Sequence, residues 1–374
     1  MAKNFLVQIK KNLGKIRLYL RKKKYRKTAA ITVYFLTIAL AALVLAIYIR
    51  PGRSFTFAGG KIMGMLGENN QQAEQENKNV SPISGLACDN YNRRPIAVML
   101  SSDTVTRPLS GLSEADMVFE MQVVQNSITR IVAIFVCGSP AEVGSIRSSR
   151  DDFIPLVMGL DAIYAHWGGS HFALDKLRSG IMDNIDALIN PYNAYFRKNT
   201  ILAPHNGFTS ISRLENSAEK LGYDLAGNFD GYPHSDVGQQ DGNNGQNQKI
   251  KINYTYPWNV DWTYNEARNS YLRNRGGKPE IDKNNNQQVE ASVVAVMLAK
   301  SRPLEGQYND VDVEGSGDLI VYQNNEEIKG TWKKDASDMA SKLYFLDASG
   351  QEIKFAPGHI WVEIVEEGKV ASNN

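Results

Sequence analysis

The chain has 374 residues, 43% of them hydrophobic, and a formal net charge of +2, so it is long enough to bury a sizeable apolar core. That small net charge hides a split: residues 1–27 carry 11 Lys or Arg and no acid, leaving 31 bases against 40 acids, a net −9, on the rest. An acidic main body argues against nucleic acid as its partner, and two cysteines are too few for a disulfide scaffold.

Residues 28–49 (TAAITVYFLTIALAALVLAIYI) hold no charge. As a helix this stretch is about 33 Å long, enough for a hydrocarbon core of about 30 Å. With the bases on its N-terminal side, the positive-inside rule puts residues 1–27 in the cytoplasm and everything after the span outside. A cleaved signal peptide has a shorter apolar core and small residues close behind it. Here Tyr48-Ile49-Arg50-Pro51 follows a full-length span, which favours an uncleaved anchor in the plasma membrane with the lipid bilayer as its partner.

Residues 50–81 read as a flexible stalk rich in Asn, Gln and Glu. Over 82–224, short apolar runs at Ile96–Leu100, Met117–Val124, Ile131–Val136 and Ala162–His166 predict strands. Between them, Asp152–Leu160 predicts a helix. Ser170 is placed to cap a second one bearing Phe172, Leu174 and Leu177. Thr209 or Ser210 caps a third with Ile211, Leu214, Ala218 and Leu221 on one face. This β-α alternation predicts an α/β domain. Residues 225–248 read as a polar linker. Beyond it, Lys249–Tyr256, Ala291–Leu298, Asp318–Tyr322 and His359–Val365 predict a mainly antiparallel β domain over 249–370, with Trp332 and Trp361 in its core. Cys88 and Cys137 are free to pair in an oxidising compartment if the fold brings them together; the sequence leaves this open.

Two segments run from a predicted strand into a predicted helix, 144–150 (GSIRSSR) and 166–171 (HWGGSH), and a third, 203–210 (APHNGFTS), also runs into a helix. Helix starts at strand ends present N–H groups to a common crevice. Arg147 and Arg150, with Arg130, add cations suited to a carboxylate or phosphate. The candidate ligand-binding residues are therefore Arg130, Arg147, Ser148, Arg150, His166, Gly168, Gly169, His205 and Asn206. A bland reading stands beside this: the arginines pair with Asp151, Asp152 or Glu120, and His166 is a core residue. For catalysis, Glu120 is a candidate acid with Asp116 or Asp103 as the second member of the carboxyl pair that glycan cleavage commonly uses, and His205 is a further candidate acid or base. Neither a metal motif nor a cofactor fingerprint is present in the sequence.

The chain resembles the YerB-like envelope lipoproteins, a domain of unknown function with N- and C-terminal parts. The resemblance covers about 82–368 and rests on several segments. They include Arg94-Pro95-Ile96-Ala97-Val98-Met99, Arg107-Pro108-Leu109-Ser110-Gly111-Leu112, Gly144–Arg150, His166–Ser170, Ala203-Pro204-His205-Asn206, Gly330-Thr331-Trp332-Lys333-Lys334 and Pro357–Glu363. It implies an extracytoplasmic protein of two parts and supplies no activity. Many relatives carry a lipidated cysteine after a signal peptide; here no cysteine follows the apolar segment, and Cys88 lies beyond the stalk. Three readings follow: a membrane-anchored protein binding a peptidoglycan fragment or peptide in the crevice, an envelope glycan hydrolase or lyase using Glu120, and a structural module that docks an envelope protein.

Overall fold

The apolar runs become strands. In chain order the first half gives β1 (Ile96–Ser101), β2 (Met117–Gln122), β3 (Thr129–Phe135), β4 (Ile163–His166) and β5 (Asn184–Asp186). The second half gives β6 (Lys249–Ile252), β7 (Val260–Asn265), β8 (Ser270–Arg275), β9 (Lys278–Pro279), β10 (Val293–Leu298), β11 (Ser301–Pro303) and β12 (Asn309–Val311). It continues with β13 (Gly315–Gln323), β14 (Glu326–Lys334), β15 (Tyr344–Asp347), β16 (Ile360–Val365) and β17 (Val370–Asn373). The helices are α1 (Phe153–Met158), α2 (His171–Arg178) and α3 (Ile211–Leu221). The computed structural model describes residues 79–236 and 248–373. The basic tail, the expected span 28–49 and most of the expected stalk lie outside them; among the described residues no helix is long and apolar enough to cross a membrane.

One ten-stranded sheet runs β15-β14-β13-β10-β16-β2-β3-β1-β4-β5. It is mixed: β1 with β4, β4 with β5, β2 with β16 and β10 with β16 are parallel, while β1, β2 and β10 each have an antiparallel partner as well. A smaller antiparallel sheet, β9-β8-β7-β6-β17, lies on one of its faces. Strand alternation divides the core. Met99, Phe119, Val132, Phe153 and Leu177 fill one face, with α1 and α2. Val98, Ile131, Ile211, Trp262 and Trp361 fill the other, with α3 and the small sheet. The protein is thus mostly β, with both tryptophans Trp332 and Trp361 buried as the sequence suggests.

The segments 82–224 and 249–370 do not separate into two bodies, because β16 lies between β10 and β2 in a single sheet. Nor is the whole of 225–248 a linker. Tyr232 is buried against Phe345 and Phe355, and His234 bridges to Phe355 and reaches the Ile83 carbonyl at 3.0 Å. A polar composition marks exposure on average but does not register two aromatics packed into a core. Cys88 and Cys137 form a disulfide with a Cα–Cα distance of 5.6 Å. The helix caps follow the sequence: Ser170 Oγ accepts from the Ala173 N–H, and Ser210 Oγ accepts from the Arg213 N–H.

Between the two sheets lies a cluster of buried charges. Glu120 on β2 stands directly beside Glu363 on β16, and both are fully buried. Two carboxylates in this position repel each other unless cations lie between them. Arg273, from β8, donates Nη2 to Glu120, Nη1 to Glu363 and Nε to Glu280 at 2.6 Å. Arg275 donates to both oxygens of Glu120, at 2.7 and 2.6 Å, and to Glu280 at 3.0 Å. The Arg273 guanidinium also lies 3.8 Å from the Trp361 ring and 4.7 Å from that of Trp262. Burial opposes ionisation of Glu280, but Arg275 and Arg273 outweigh it and hold the carboxyl down at about 2. Burial, reinforced by Glu120, raises Glu363 against the pull of Arg273. Three carboxyls thus share two guanidiniums, and Glu363 is the one favoured to hold a proton.

Replacing Glu120 with Gln leaves Arg273 and Arg275 short of a carboxylate inside the core. We expect a loss of roughly 3–5 kcal/mol in urea unfolding. A loss under about 1 kcal/mol, within the range of ordinary surface changes, would show that the cluster does not hold the sheets together.

Candidate functional site

The carboxyl ends of the parallel strands β1 and β4 lie beside each other, and the segment 145–147 runs along the end of β1. Its backbone is pinned there: the Ser101 N–H donates to the Ser145 carbonyl at 3.0 Å and the Arg147 N–H to the Met99 carbonyl at 2.9 Å. This brings Arg147 and Arg150 to the place where β3 presents Arg130, which is paired with Ser101 in register. Asp103, just after β1, is the shared carboxylate. Its Oδ2 is 3.8 Å from Arg130, 3.5 Å from Arg147 and 4.0 Å from His205 Nδ1, and it accepts from Ser101 Oγ at 2.8 Å.

The cations outnumber the anion. Arg130 is 4% exposed and donates one Nη to the Thr129 carbonyl at 3.1 Å. Arg147 reaches the Pro204 carbonyl at 3.4 Å, and Arg150 the Ser149 carbonyl at 3.0 Å. The Nε atoms of all three arginines are buried without a hydrogen-bond partner among the described residues, as are the Ser145 and Ser149 hydroxyls. Burial, with Arg147 and Arg150 adding to it against Asp103, brings Arg130 down to about 9. His205 is lowered by its partial burial and by Arg147, so the neutral ring dominates near pH 7. The Arg150 guanidinium lies 5.6 Å from the Tyr308 ring, which in turn packs on His171 and Phe172. On the other side, Trp167 packs under Arg197 at 4.1 Å and lines a cleft of about 360 Å³ with Leu188, Tyr195 and Phe196.

Of the residues expected from sequence, Arg130, Arg147, Arg150 and His205 converge. Ser148 lies beside them and offers its carbonyl to Arg150 at 3.4 Å. His166 does not line the site. It is fully buried, with Nδ1 2.9 Å from the Gly168 carbonyl and Nε2 3.3 Å from Asn184 Oδ1. Gly168 and Gly169 serve packing. The Gly168 carbonyl accepts from the Ser149 N–H, and a Cβ on Gly169 would come 3.3 Å from Ser149 Cβ. Asn206 is engaged by Arg197 at 2.5 Å. Helix ends do not supply the donors either, since the Ser170 N–H goes to the Ser149 carbonyl. The site is built from guanidinium groups.

Glu120 is not an exposed acid beside this cleft. Its register partner on β3 is Ile131, whereas Arg130 faces Met121, so Glu120 and Arg130 project from opposite faces of the sheet. Both carboxylate oxygens of Glu120 are committed to arginines, and Asp116 is committed to Ser84 and to the N–H groups of Val136 and Cys137. The pairing of Glu120 with Asp116 or His205 for acid–base work is thereby corrected: burial arises here from an ion cluster, not from an apolar pocket that raises a free acid. Asp103 is in the site, but as the counter-ion of the arginines. Tyr308 and Trp167 were not among the expected residues. Trp167 lay inside one of the marked segments, whereas nothing local marks Tyr308.

Two family models match the chain. The N-terminal domain of a protein of unknown function (DUF3048) covers residues 83–224, and its C-terminal domain covers 250–362. The chain is 28% identical over 296 residues to YerB, a candidate lipoprotein of Bacillus subtilis (strain 168), spanning 78% of this chain and 88% of that one. The crystal structure of the Bacillus subtilis YerB protein superimposes with a TM-score of 0.71 at 26% identity, covering 79% of this chain and 99% of that one.

The rim of the site is fixed by Asp152, which precedes α1 and accepts from the Val311 N–H at 3.2 Å. Its burial, then Asp310 and Asp151, push the carboxyl up to about 8 against that N–H and Lys176. The unfolded chain titrates near 4, so the folded protein loses stability as pH rises from about 4 through about 8. We expect Asp152→Asn to melt at or slightly below wild type at pH 5 and above it at pH 8.5, with the gap widening in between. Parallel melting temperatures across that range would show that Asp152 does not titrate there.

Proposed function

The chain belongs to the DUF3048 family, and from that premise we propose that it is a membrane-anchored envelope protein that binds an anionic ligand of the cell envelope in the arginine cleft. The observation that carries this reading is the convergence of Arg130 and Arg147 on one carboxylate, Asp103, with Arg150 beside them and paired with no carboxylate, and with all three Nε atoms unpartnered among the described residues. Guanidinium groups form paired, charge-assisted hydrogen bonds to carboxylates and phosphates, and partial burial strengthens them. A peptidoglycan fragment or an envelope peptide brings such groups. The small cleft beside Trp167 offers an adjoining apolar surface.

The chain's cysteines support reading the anchor as a transmembrane segment. Both are joined to each other, so no thiol in these 374 residues is left to carry a lipid. The apolar stretch 28–49 takes over the tethering done by a lipid in a lipoprotein, with the cluster outside the membrane. A disulfide accords with an extracytoplasmic, oxidising setting. A glycan hydrolase has less support, since Glu120 is locked between the sheets. A partner-docking module remains the reading that the binding experiment separates from ours.

The full-length protein, purified in a neutral detergent, is mixed with peptidoglycan and pelleted. We expect wild type to sediment with the wall material and to release no fragments detectable by mass spectrometry. The double change Arg147→Ala, Arg150→Ala should reduce sedimentation at least about tenfold, the loss of two charge-assisted contacts at roughly 1 kcal/mol or more each. Sedimentation unaffected by the double change would end the arginine-cleft reading; released fragments would make the protein an enzyme.

A further inference from the structure

The charges around the cleft can be counted. Arg130, Arg147 and Arg150 supply three positive charges, and Asp103 one negative. Among the other nearby acids, Asp151 pairs with Lys176 at 3.0 Å and Asp310 with Arg302, while the largely exposed Glu305 reaches the His171 ring at 2.7 Å. Asp152, whose carboxyl is held up at about 8, is largely protonated at neutral pH. His205 is neutral there. Two positive charges are left over, one of them on the almost fully buried Arg130.

A single carboxylate carries one charge and two acceptor oxygens in one plane. A phosphate monoester carries nearly two charges and three strong acceptor oxygens spread around a tetrahedron. The donors here come from different directions: Arg130 from the sheet, Arg147 from the strand-like segment at the end of β1, and Arg150 from the turn before α1. The unpartnered hydroxyl of Ser145 adds a short donor in the same segment. Resting on the reading of this cluster as an anion site, we propose that its ligand is a phosphomonoester, carried at the end of a wall polymer or on a phospholipid headgroup, and not a carboxylate alone. Asp103 then acts as the resident counter-ion that the phosphoryl group outcompetes.

The test uses the full chain in nanodiscs of neutral lipid, titrated calorimetrically with inorganic phosphate and with acetate at matched ionic strength. Phosphate should bind at least about tenfold more tightly than acetate, as expected for one further charge-assisted contact. Asp103→Asn, which removes the competing carboxylate while keeping its shape, should tighten phosphate binding, whereas Arg147→Ala with Arg150→Ala should abolish it. Competition by dihexanoyl phosphatidic acid, or by a glycerol-phosphate oligomer, identifies the lipid or the wall polymer as the source. Failure of both to displace phosphate overturns the phosphoryl assignment. Acetate bound as tightly as phosphate, and lost in the double-arginine variant, overturns it too but leaves the anion site standing. If neither anion binds the wild type, both readings fall. Asp103→Asn protein that binds phosphate no better than wild type removes this cluster as the phosphate site.

Discussion

The fold depends on two glutamates placed side by side where no water reaches them. Glu120 and Glu363 are register partners on neighbouring parallel strands, and the small sheet covers the face from which they project. Such a pair is tolerable only if cations enter the same space, and these come from β8 as Arg273 and Arg275. The arrangement costs desolvation, and an apolar replacement of the whole cluster would not necessarily be less stable. What it adds is registry. Glu120 belongs to the first half of the chain, and Glu280, Glu363 and both arginines to the second. A one-residue slip of β2 or β16 would turn a carboxyl onto the apolar opposite face, and a slip of β8 would turn both arginines away from the glutamates.

The same alternation explains where the second arginine cluster lies. Moving one residue along β3 from Ile131 to Arg130 crosses from the face of the glutamates to the face of Met99 and Phe153. The sheet thus carries two arginine clusters, one on each side, of opposite character. Between the sheets, carboxyls outnumber guanidiniums three to two, and every arginine is enclosed. At the end of β1, guanidiniums outnumber carboxylates three to one, and Arg147 and His205 keep about a fifth of their side-chain surface in contact with solvent. The first balance locks a structure. The second leaves capacity for an anion from outside.

Much of this was legible in the sequence, and the remainder has definable reasons. Apolar runs located β1 through β4, and serines at the right spacing located the caps of α2 and α3, because both signals are local. That Arg147, Arg150 and His205 come together was legible because they sit in Gly-, Ser- or Pro-containing segments that lead into helices. The role of Glu120 was not. Its partners are 153 and 155 residues away, and sequence shows that a glutamate lies on a buried strand without showing what neutralises it. The insertion of β16 between β10 and β2, which merges two expected domains into one sheet, is likewise a pairing choice that no local pattern records. His166 looked like a ligand residue because it stands among glycines, yet those glycines bring backbone close to backbone and the histidine serves that packing.

The cleft is finished only when both halves of the chain are in place. Tyr308, beside Arg150, lies in the hairpin of β11 and β12, and besides its packing on His171 and Phe172 that hairpin is held to the first half by hydrogen bonds at two residues. One is the Val311 N–H on Asp152; the other is Asn309, whose N–H and Nδ2 donate to the carbonyls of Val123 and Gln122. Asp152 stands two residues after Arg150, and Gln122 ends the strand that carries Glu120. The buried ion cluster and the open arginine site are therefore joined through β2 and the start of α1, and not by any contact between their charges. A chain with its first half alone would keep Arg130, Arg147 and Arg150 but lose the wall that Tyr308 provides beside Arg150. The N-terminal part holds the cations, and the C-terminal part closes one side of them with an aromatic ring.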